Sequence, residues 1–147
     1  MVAVVHPSIL VGAGIDCTES FVAHYHITHV INCAFPDDCP SWVPSRFGPK
    51  YTCIEAEDGL DVDLFRWYPL FRSTLTKYLQ DPTRVRIFIH CQLGINRSMF
   101  LTLAYVCELF GYPYDTTVRS IRQQRPQALR NTSFAKQVKT FLTKKKE

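Results

Sequence analysis

The 147-residue sequence has no apolar run of the length that a membrane-spanning helix needs, so no contact with a membrane is predicted. It has no internal repeat and no low-complexity segment, which excludes repeat architectures. Its first fifteen residues carry no basic cluster ahead of an apolar stretch, so we expect no secretion signal. These absences favour a globular protein located in the cytoplasm or the nucleus.

The six cysteines are scattered, and no two of them form a C-x-x-C pair. That pair is typical of zinc ribbons and fingers, so neither a metal nor another cofactor is predicted. Without an export signal the default is a reducing compartment, in which disulfides do not persist. Cys33, Cys53 and Cys107 lie in apolar runs, which predicts buried and unreactive thiols.

The chain has no large excess of charge of either sign, because it contains 17 basic and 13 acidic residues and its formal net charge is +4. Hydrophobic residues make up 46% of the chain, which is enough for a packed core. We interpret the basic tail that ends in Lys144–Lys146 as a frayed terminus. The four arginines within residues 119–130 indicate either a solvated helix face or a surface that favours anionic substrates.

Strand patterns alternate with helix patterns, which predicts an α/β fold with a central, mostly parallel sheet flanked by helices. Pro69 should kink or restart the third helix, and Asn131 is a candidate cap for the last one. A proline-rich loop is expected over residues 34–49 and an acidic loop over residues 56–63. The predicted strands are 9–11, 28–33, 51–55 and 85–89, and the predicted helices are 16–25, 64–79, 98–110, 114–124 and 132–142.

The most informative segment runs from His90 to Ser98 and reads His-Cys-Gln-Leu-Gly-Ile-Asn-Arg-Ser. It follows a β-rich apolar run and opens an apolar helical pattern, so we predict a strand, a tight loop and a helix. The backbone amides of such a loop converge at the helix N-terminus, where they bind anions and favour the thiolate form of a cysteine. The segment therefore predicts a Cys-x5-Arg phosphate loop between a strand and a helix.

Each residue type in this loop suits phosphoryl transfer. Cys91 would form a cysteinyl-phosphate intermediate, Arg97 can present two parallel N–H donors to phosphate oxygens, and Ser98 can donate a hydrogen bond to the sulfur. His90 is expected to support the loop by hydrogen bonding from the strand end. The residues predicted to bind the phosphate group are Gln92, Leu93, Gly94, which permits a positive φ, Ile95, Asn96 and Arg97.

A leaving alkoxide or phenoxide needs a proton, and residues 55–63 supply carboxylates on a glycine-containing loop. Loop chemistry alone does not choose among them, although Asp58 is favoured as the general acid and Asp61 is second. Asp63 directly precedes Leu64 and also fits a helix N-cap.

The segment from His90 to Ser98 resembles the signature of the cysteine-dependent protein tyrosine phosphatase superfamily, and nearly the whole chain resembles its small dual-specificity branch. Residues 8–12 are similar to the opening strand of that branch and residues 27–32 to its second strand. The closing segment is similar in Arg125, Pro126, Asn131, Phe134 and Gln137.

The resemblance implies one catalytic domain over residues 1–147, with a short basic tail at 143–147. It implies metal-independent hydrolysis of phosphotyrosine, phosphoserine and phosphothreonine in proteins, a protein kinase being one candidate substrate. It also implies that the acid is an aspartate well upstream of the cysteine, a few residues before a helix-starting leucine. Asp58 lies 33 positions before Cys91 and matches that place better than Asp61.

Two alternatives stay open. The first is an RNA 5′-triphosphatase or diphosphatase. Asn96 stands where a serine is usual in the branch, and the Gly-x-Asn-Arg sequence is similar to that of RNA 5′-triphosphatases of the same superfamily. A phospho-binding module without turnover is the second, and the presence of Cys91, Arg97 and Asp58 argues against it. The loop has no lysine, unlike the loop of phosphoinositide-specific relatives, and this argues against a lipid phosphatase.

Overall fold

A computed structural model describes residues 2–146, and within them the chain forms one five-stranded sheet. The strands follow the spatial order β1-β2-β5-β3-β4, and every neighbouring pair is parallel except β1 with β2. The prediction of a mostly parallel sheet is therefore confirmed. The strands are β1 (Ala3–His6), β2 (Ile9–Ala13), β3 (His29–Asn32), β4 (Tyr51–Cys53) and β5 (Ile87–Cys91).

Helices cover both faces of the sheet, as the apolar strand sequences require. Alternate residues of a strand point to opposite faces. Ile87 and Ile89 of β5 accordingly pack in the larger core, whereas Phe88 packs in a smaller core with Val22 and Val43. The helices are α1 (Glu19–Tyr25), α2 (Val43–Phe47), α3 (Tyr68–Leu79), α4 (Arg97–Leu109), α5 (Tyr114–Gln124) and α6 (Thr132–Lys146).

The central place of β5 positions the candidate site. Its neighbours β2 and β3 are both parallel to it, with Ala13 beside Cys91 and Asn32 beside His90. The carboxyl ends of β2, β3, β4 and β5 therefore meet at one edge of the sheet, where ligands of open α/β sheets bind.

The structure corrects three local predictions. The short edge strand β1 was not predicted, and the expected loop over residues 34–49 contains α2. The basic tail is not frayed through residue 146, because α6 continues to Lys146 and the ammonium group of Lys145 lies 3.1 Å from a carboxylate oxygen of Glu108. None of the helices within residues 2–146 is both long and apolar enough to span a bilayer.

The predicted restart at Pro69 is confirmed. A short 3₁₀ turn at Leu64–Arg66 precedes α3, and Pro69 occupies the first turn of α3, where its missing N–H costs no hydrogen bond.

Candidate active site

Residues 92–96 form the predicted loop between β5 and α4. Cys91 is the last residue of the strand, and Arg97 is the first residue of the helix. Gly94 has φ of +65°, and a Cβ atom there would lie 2.4 Å from the carbonyl carbon of Gly12. Only glycine fits this close approach, so the loop packs directly against the end of β2.

The Cys91 sulfur is buried at the start of this loop, and a hydroxyl group lies beside it. Cys91 is 2% exposed and Ser98 is fully buried. The Ser98 hydroxyl donates a hydrogen bond to the sulfur over 3.1 Å. The structure thus brings together the predicted nucleophile and the predicted hydrogen-bond donor to it.

Arg97 links the loop to the acidic segment. Its guanidinium donates one hydrogen bond, 3.1 Å long, to the carbonyl of Ala56. Within residues 2–146 the structure gives its side chain no other hydrogen bond, so the guanidinium has the further N–H donors that its predicted role in phosphate binding requires.

Asp58 is the carboxylate that the structure places against the loop. Its Oδ2 atom accepts a hydrogen bond of 2.9 Å from the side-chain amide of Asn96, and its Oδ1 atom accepts one of 2.9 Å from that of Asn131. Asp61 is exposed and has no such contact within the described residues. Asp63 instead caps the 3₁₀ turn, since its side chain accepts a hydrogen bond from the Phe65 backbone.

The acidic segment is attached along its length to the start of α6. The Asn131 amide also donates to the carbonyl of Gly59, and the Gln137 amide donates to the carbonyl of Val62 and accepts from the backbone N–H of Leu64. Asn131 caps α6 as predicted, because its side-chain oxygen accepts from the Phe134 backbone.

His90 is fully buried at the end of β5, and its ring stacks on Phe88 with the centroids 5.6 Å apart. Its Nδ1 atom lies 3.2 Å from the carbonyl oxygen of Cys91, and its Nε2 atom has no hydrogen-bond partner among the described residues. Burial lowers the pKa of His90 to about 4, so the ring is neutral at pH 7. Its contact with the Cys91 carbonyl agrees with a supporting position.

Arg125 is a buried residue of the site whose contact with the loop the sequence did not predict. Its guanidinium donates to the carbonyl groups of Gly94 over 2.9 Å and Leu93 over 2.6 Å, and lies 3.8 Å from a carboxylate oxygen of Asp16. It therefore fixes two carbonyl groups of the loop. The signal was present in the arginine–proline pair of the closing segment, but the pair does not say what the arginine contacts.

The arginines of residues 119–130 are largely committed to the fold. Arg122 donates to the carbonyl groups of Ala128 and Leu129, and Arg130 donates to that of Pro126. With Arg125 on the loop, three of the four arginines bind backbone carbonyls, which weakens the interpretation of this stretch as an anion-binding surface. No group of histidine, cysteine and carboxylate side chains suited to a metal ion occurs within residues 2–146.

The other cysteines are less uniform than predicted. Cys33 is buried, and that burial raises the pKa of its thiol well above the ordinary value, whereas Cys53 and Cys107 are only half-buried.

Acidic and apolar side chains surround the loop. The three loops that follow β2, β3 and β4, at residues 14–18, 33–42 and 54–63, carry eight of the chain's 13 carboxylates and neither lysine nor arginine. Exposed apolar side chains lie on these loops and on the loop at 92–96. They are Ile15 (82% exposed), Phe35 (38%), Leu60 (67%) and Leu93 (60%).

Comparison with known families gives a match to the model described as dual specificity phosphatase, catalytic domain, over residues 9–144. The chain is 26% identical over 129 residues to dual specificity protein phosphatase 1B of Arabidopsis thaliana, covering 84% of this chain and 70% of that protein. It is 28% identical over 117 residues to human dual specificity protein phosphatase 4, covering 78% of this chain but only 28% of that protein.

Solved structures share the fold at low sequence identity. Human DUSP28 superposes with a TM-score of 0.79 at 17% identity, over 99% of this chain and 95% of that one. Human tyrosine phosphatase-like serine/threonine/tyrosine-interacting protein superposes with a TM-score of 0.77 at 18% identity, over 99% and 98% of the two chains. Likenesses at this identity show the fold, and the site residues must carry the argument about chemistry.

Proposed function

The chain belongs to the dual specificity phosphatase family, and from this premise we propose that it hydrolyses phosphate esters of tyrosine, serine and threonine in proteins through a cysteinyl-phosphate intermediate. The observation that carries the proposal is the convergence of Cys91, Arg97, Ser98 and Asp58 on one loop. These side chains supply a nucleophile, an anion-binding fork, a hydrogen-bond donor to sulfur and a proton donor.

In the first step the Cys91 thiolate attacks phosphorus in line with the leaving oxygen. The S–P bond forms as the O–P bond breaks, and the proton carried by Asp58 passes to the leaving oxygen. Arg97 and the loop amides stabilise the charge on the equatorial phosphate oxygens.

In the second step Asp58, now a carboxylate, takes a proton from water while the water oxygen attacks phosphorus. The S–P bond breaks and inorganic phosphate leaves. The Ser98 hydroxyl, 3.1 Å from the sulfur, stabilises the departing thiolate by hydrogen bonding.

A phosphoprotein suits the surroundings of the site better than RNA does. Eight carboxylates lie on the neighbouring loops, and their field opposes a polyanion that approaches the loop. The Asn96 side chain, which suggested the RNA alternative, forms hydrogen bonds to protein groups through both its oxygen and its nitrogen.

A phosphorylated kinase is one candidate substrate, and the location in cytoplasm or nucleus stays a prediction.

The test measures phosphate release from a phosphotyrosine peptide, a phosphothreonine peptide and triphosphate-ended RNA, with a chelator present. Both peptides should be hydrolysed and the RNA should not. Cys91→Ser should abolish turnover, whereas Cys107→Ser, at the far end of α4, should retain it. Turnover by Cys91→Ser would exclude the thiol mechanism. Peptide binding without hydrolysis by the unmodified protein would favour the phospho-binding module, and preferential hydrolysis of RNA would favour the alternative enzyme.

A further inference from the structure

Asn96 uses both ends of its side-chain amide. Its oxygen accepts hydrogen bonds from the backbone N–H groups of Arg130 over 3.0 Å and Asn131 over 2.8 Å, and its nitrogen donates to Asp58. The opposite orientation of the amide would set its NH₂ group against two N–H donors and its oxygen against a carboxylate. The surrounding hydrogen bonds therefore fix the direction in which Asn96 donates.

This use of the side chain is unexpected at its position. Asn96 is the N-cap residue of α4, and asparagine is among the residues that commonly cap a helix through the side chain. Here the side chain makes no capping hydrogen bond. It contacts instead the acidic loop 38 residues earlier in the chain.

We propose that Asn96 is a positioning residue for proton transfer, holding the Asp58 carboxyl group at the phosphate loop before substrate arrives. The inference rests on the proposed role of Asp58 as the acid. Asp58 is exposed, and a free aspartate on a surface loop would sample several rotamers. Two amide donors, one on each oxygen, restrict it to one direction.

The same donors assist the chemical step. A protonated Asp58 keeps one oxygen as an acceptor, so one amide bond persists while the O–H group faces the leaving oxygen. As the proton moves to that oxygen, Asp58 gains negative charge, and hydrogen bonds to a charged acceptor are stronger than those to a neutral one. Asn96 therefore stabilises the transition state of proton transfer more than the ground state.

The test compares substrates that differ in their need for a proton. Para-nitrophenolate leaves without protonation, whereas the alkoxide of threonine does not. Asn96→Ala and Asn96→Asp should each lower kcat for a phosphothreonine peptide by about 10- to 100-fold, which is part of the roughly 100- to 10,000-fold that general acid catalysis contributes, and should lower kcat for para-nitrophenyl phosphate by less than about 3-fold. Asn96→Asp keeps the acceptor for the two backbone N–H groups, so it preserves the fold if Asn96→Ala does not.

A double-mutant cycle separates positioning from a general structural effect. In the Asp58→Asn background the acid is already absent, so adding Asn96→Ala should change the peptide kcat by less than about 3-fold. Glu57→Gln, an exposed neighbour of Asp58 without a contact to the loop, is the control and should leave both rates unchanged.

Three outcomes would overturn the positioning role alone. The first is an equal loss of kcat on the two substrates in the Asn96 variants. The second is a double variant in which Asn96→Ala lowers the peptide kcat as much as it does alone. The third is a loss of peptide kcat in Asp58→Asn that the Asn96 variants do not show. If Asp58→Asn leaves both rates intact while Cys91→Ser abolishes them, the acid assignment and the positioning role both fail and the cysteine mechanism stands.

Discussion

Acidification should destabilise the fold through His90. Burial lowers the pKa of this histidine from 6.5 to about 4, so the ring takes up its proton more readily in the unfolded chain. Between these two pH values the unfolded state binds more protons, and the free energy of unfolding therefore falls as the pH falls. The stabilisation is fully present above pH 6.5 and is lost as the pH drops toward 4. At about pH 5 the loss amounts to roughly 2 kcal/mol.

The measurement is urea unfolding followed by the fluorescence of Trp42 and Trp67, at about pH 7.5 and about pH 5. His90→Asn is the comparison, because its amide can meet the Cys91 carbonyl but does not titrate. The unmodified protein should lose about 2 kcal/mol more between the two pH values than the variant does. His29, whose pKa burial also lowers, is present in both proteins, so its contribution cancels.

The result that would refute this reasoning is an equal loss in the two proteins. Such a result would mean that His90 takes up its proton at the same pH in the folded and unfolded chains, and that the buried ring finds a partner for its second N–H group when charged. A larger loss in the variant would contradict the sign of the linkage itself.

Two further substitutions test the support of the loop. Gly94→Ala should lower the free energy of unfolding by about 3 kcal/mol, because it combines a positive φ with an overlap at Gly12, and should lower kcat/KM by more than about 100-fold. Urea unfolding measures the first effect and an aryl phosphatase assay the second. A fully active variant would show that the loop tolerates a shift of its backbone. Arg125→Lys should lower kcat/KM by about 10-fold or more, since one ammonium group does not reproduce a guanidinium that bonds two carbonyl groups. The control is Arg119→Lys at an exposed position, which should leave kcat/KM unchanged. Equal activity in the two variants would show that Arg125 does not support the loop.

The sequence predicted the sheet because its strands are apolar runs that lie between helical patterns. It did not predict β1, a four-residue edge strand whose apolar run, residues 3–5, is too short to show the alternation of a half-buried strand. It did not predict α2 either, because Pro44 and its neighbouring prolines are typical of loops. Pro44 occupies the first turn of α2, where a proline is tolerated.

The site could be predicted where its residues are neighbours in the chain. The residues from His90 to Ser98 form one local unit, so their spacing already indicates a strand, a loop and a helix. The contacts of Asp58 are different, because its second partner, Asn131, lies 73 residues later. Only the packing of α6 against the rest of the fold brings them together, and a pattern within one segment does not contain that information.

The last helix therefore takes part in holding Asp58, the acid of the proposed mechanism. α6 packs on α4 through Phe134 and Phe100, whose ring centroids are 5.8 Å apart in an edge-to-face arrangement. That contact sets the position of Asn131, which bonds Asp58 and Gly59, and of Gln137, which bonds the backbone on both sides of Asp63. Because α4 also begins at Arg97, the contact between α4 and α6 helps to fix the distance between Arg97 and Asp58, the arginine and the acid of the proposed mechanism.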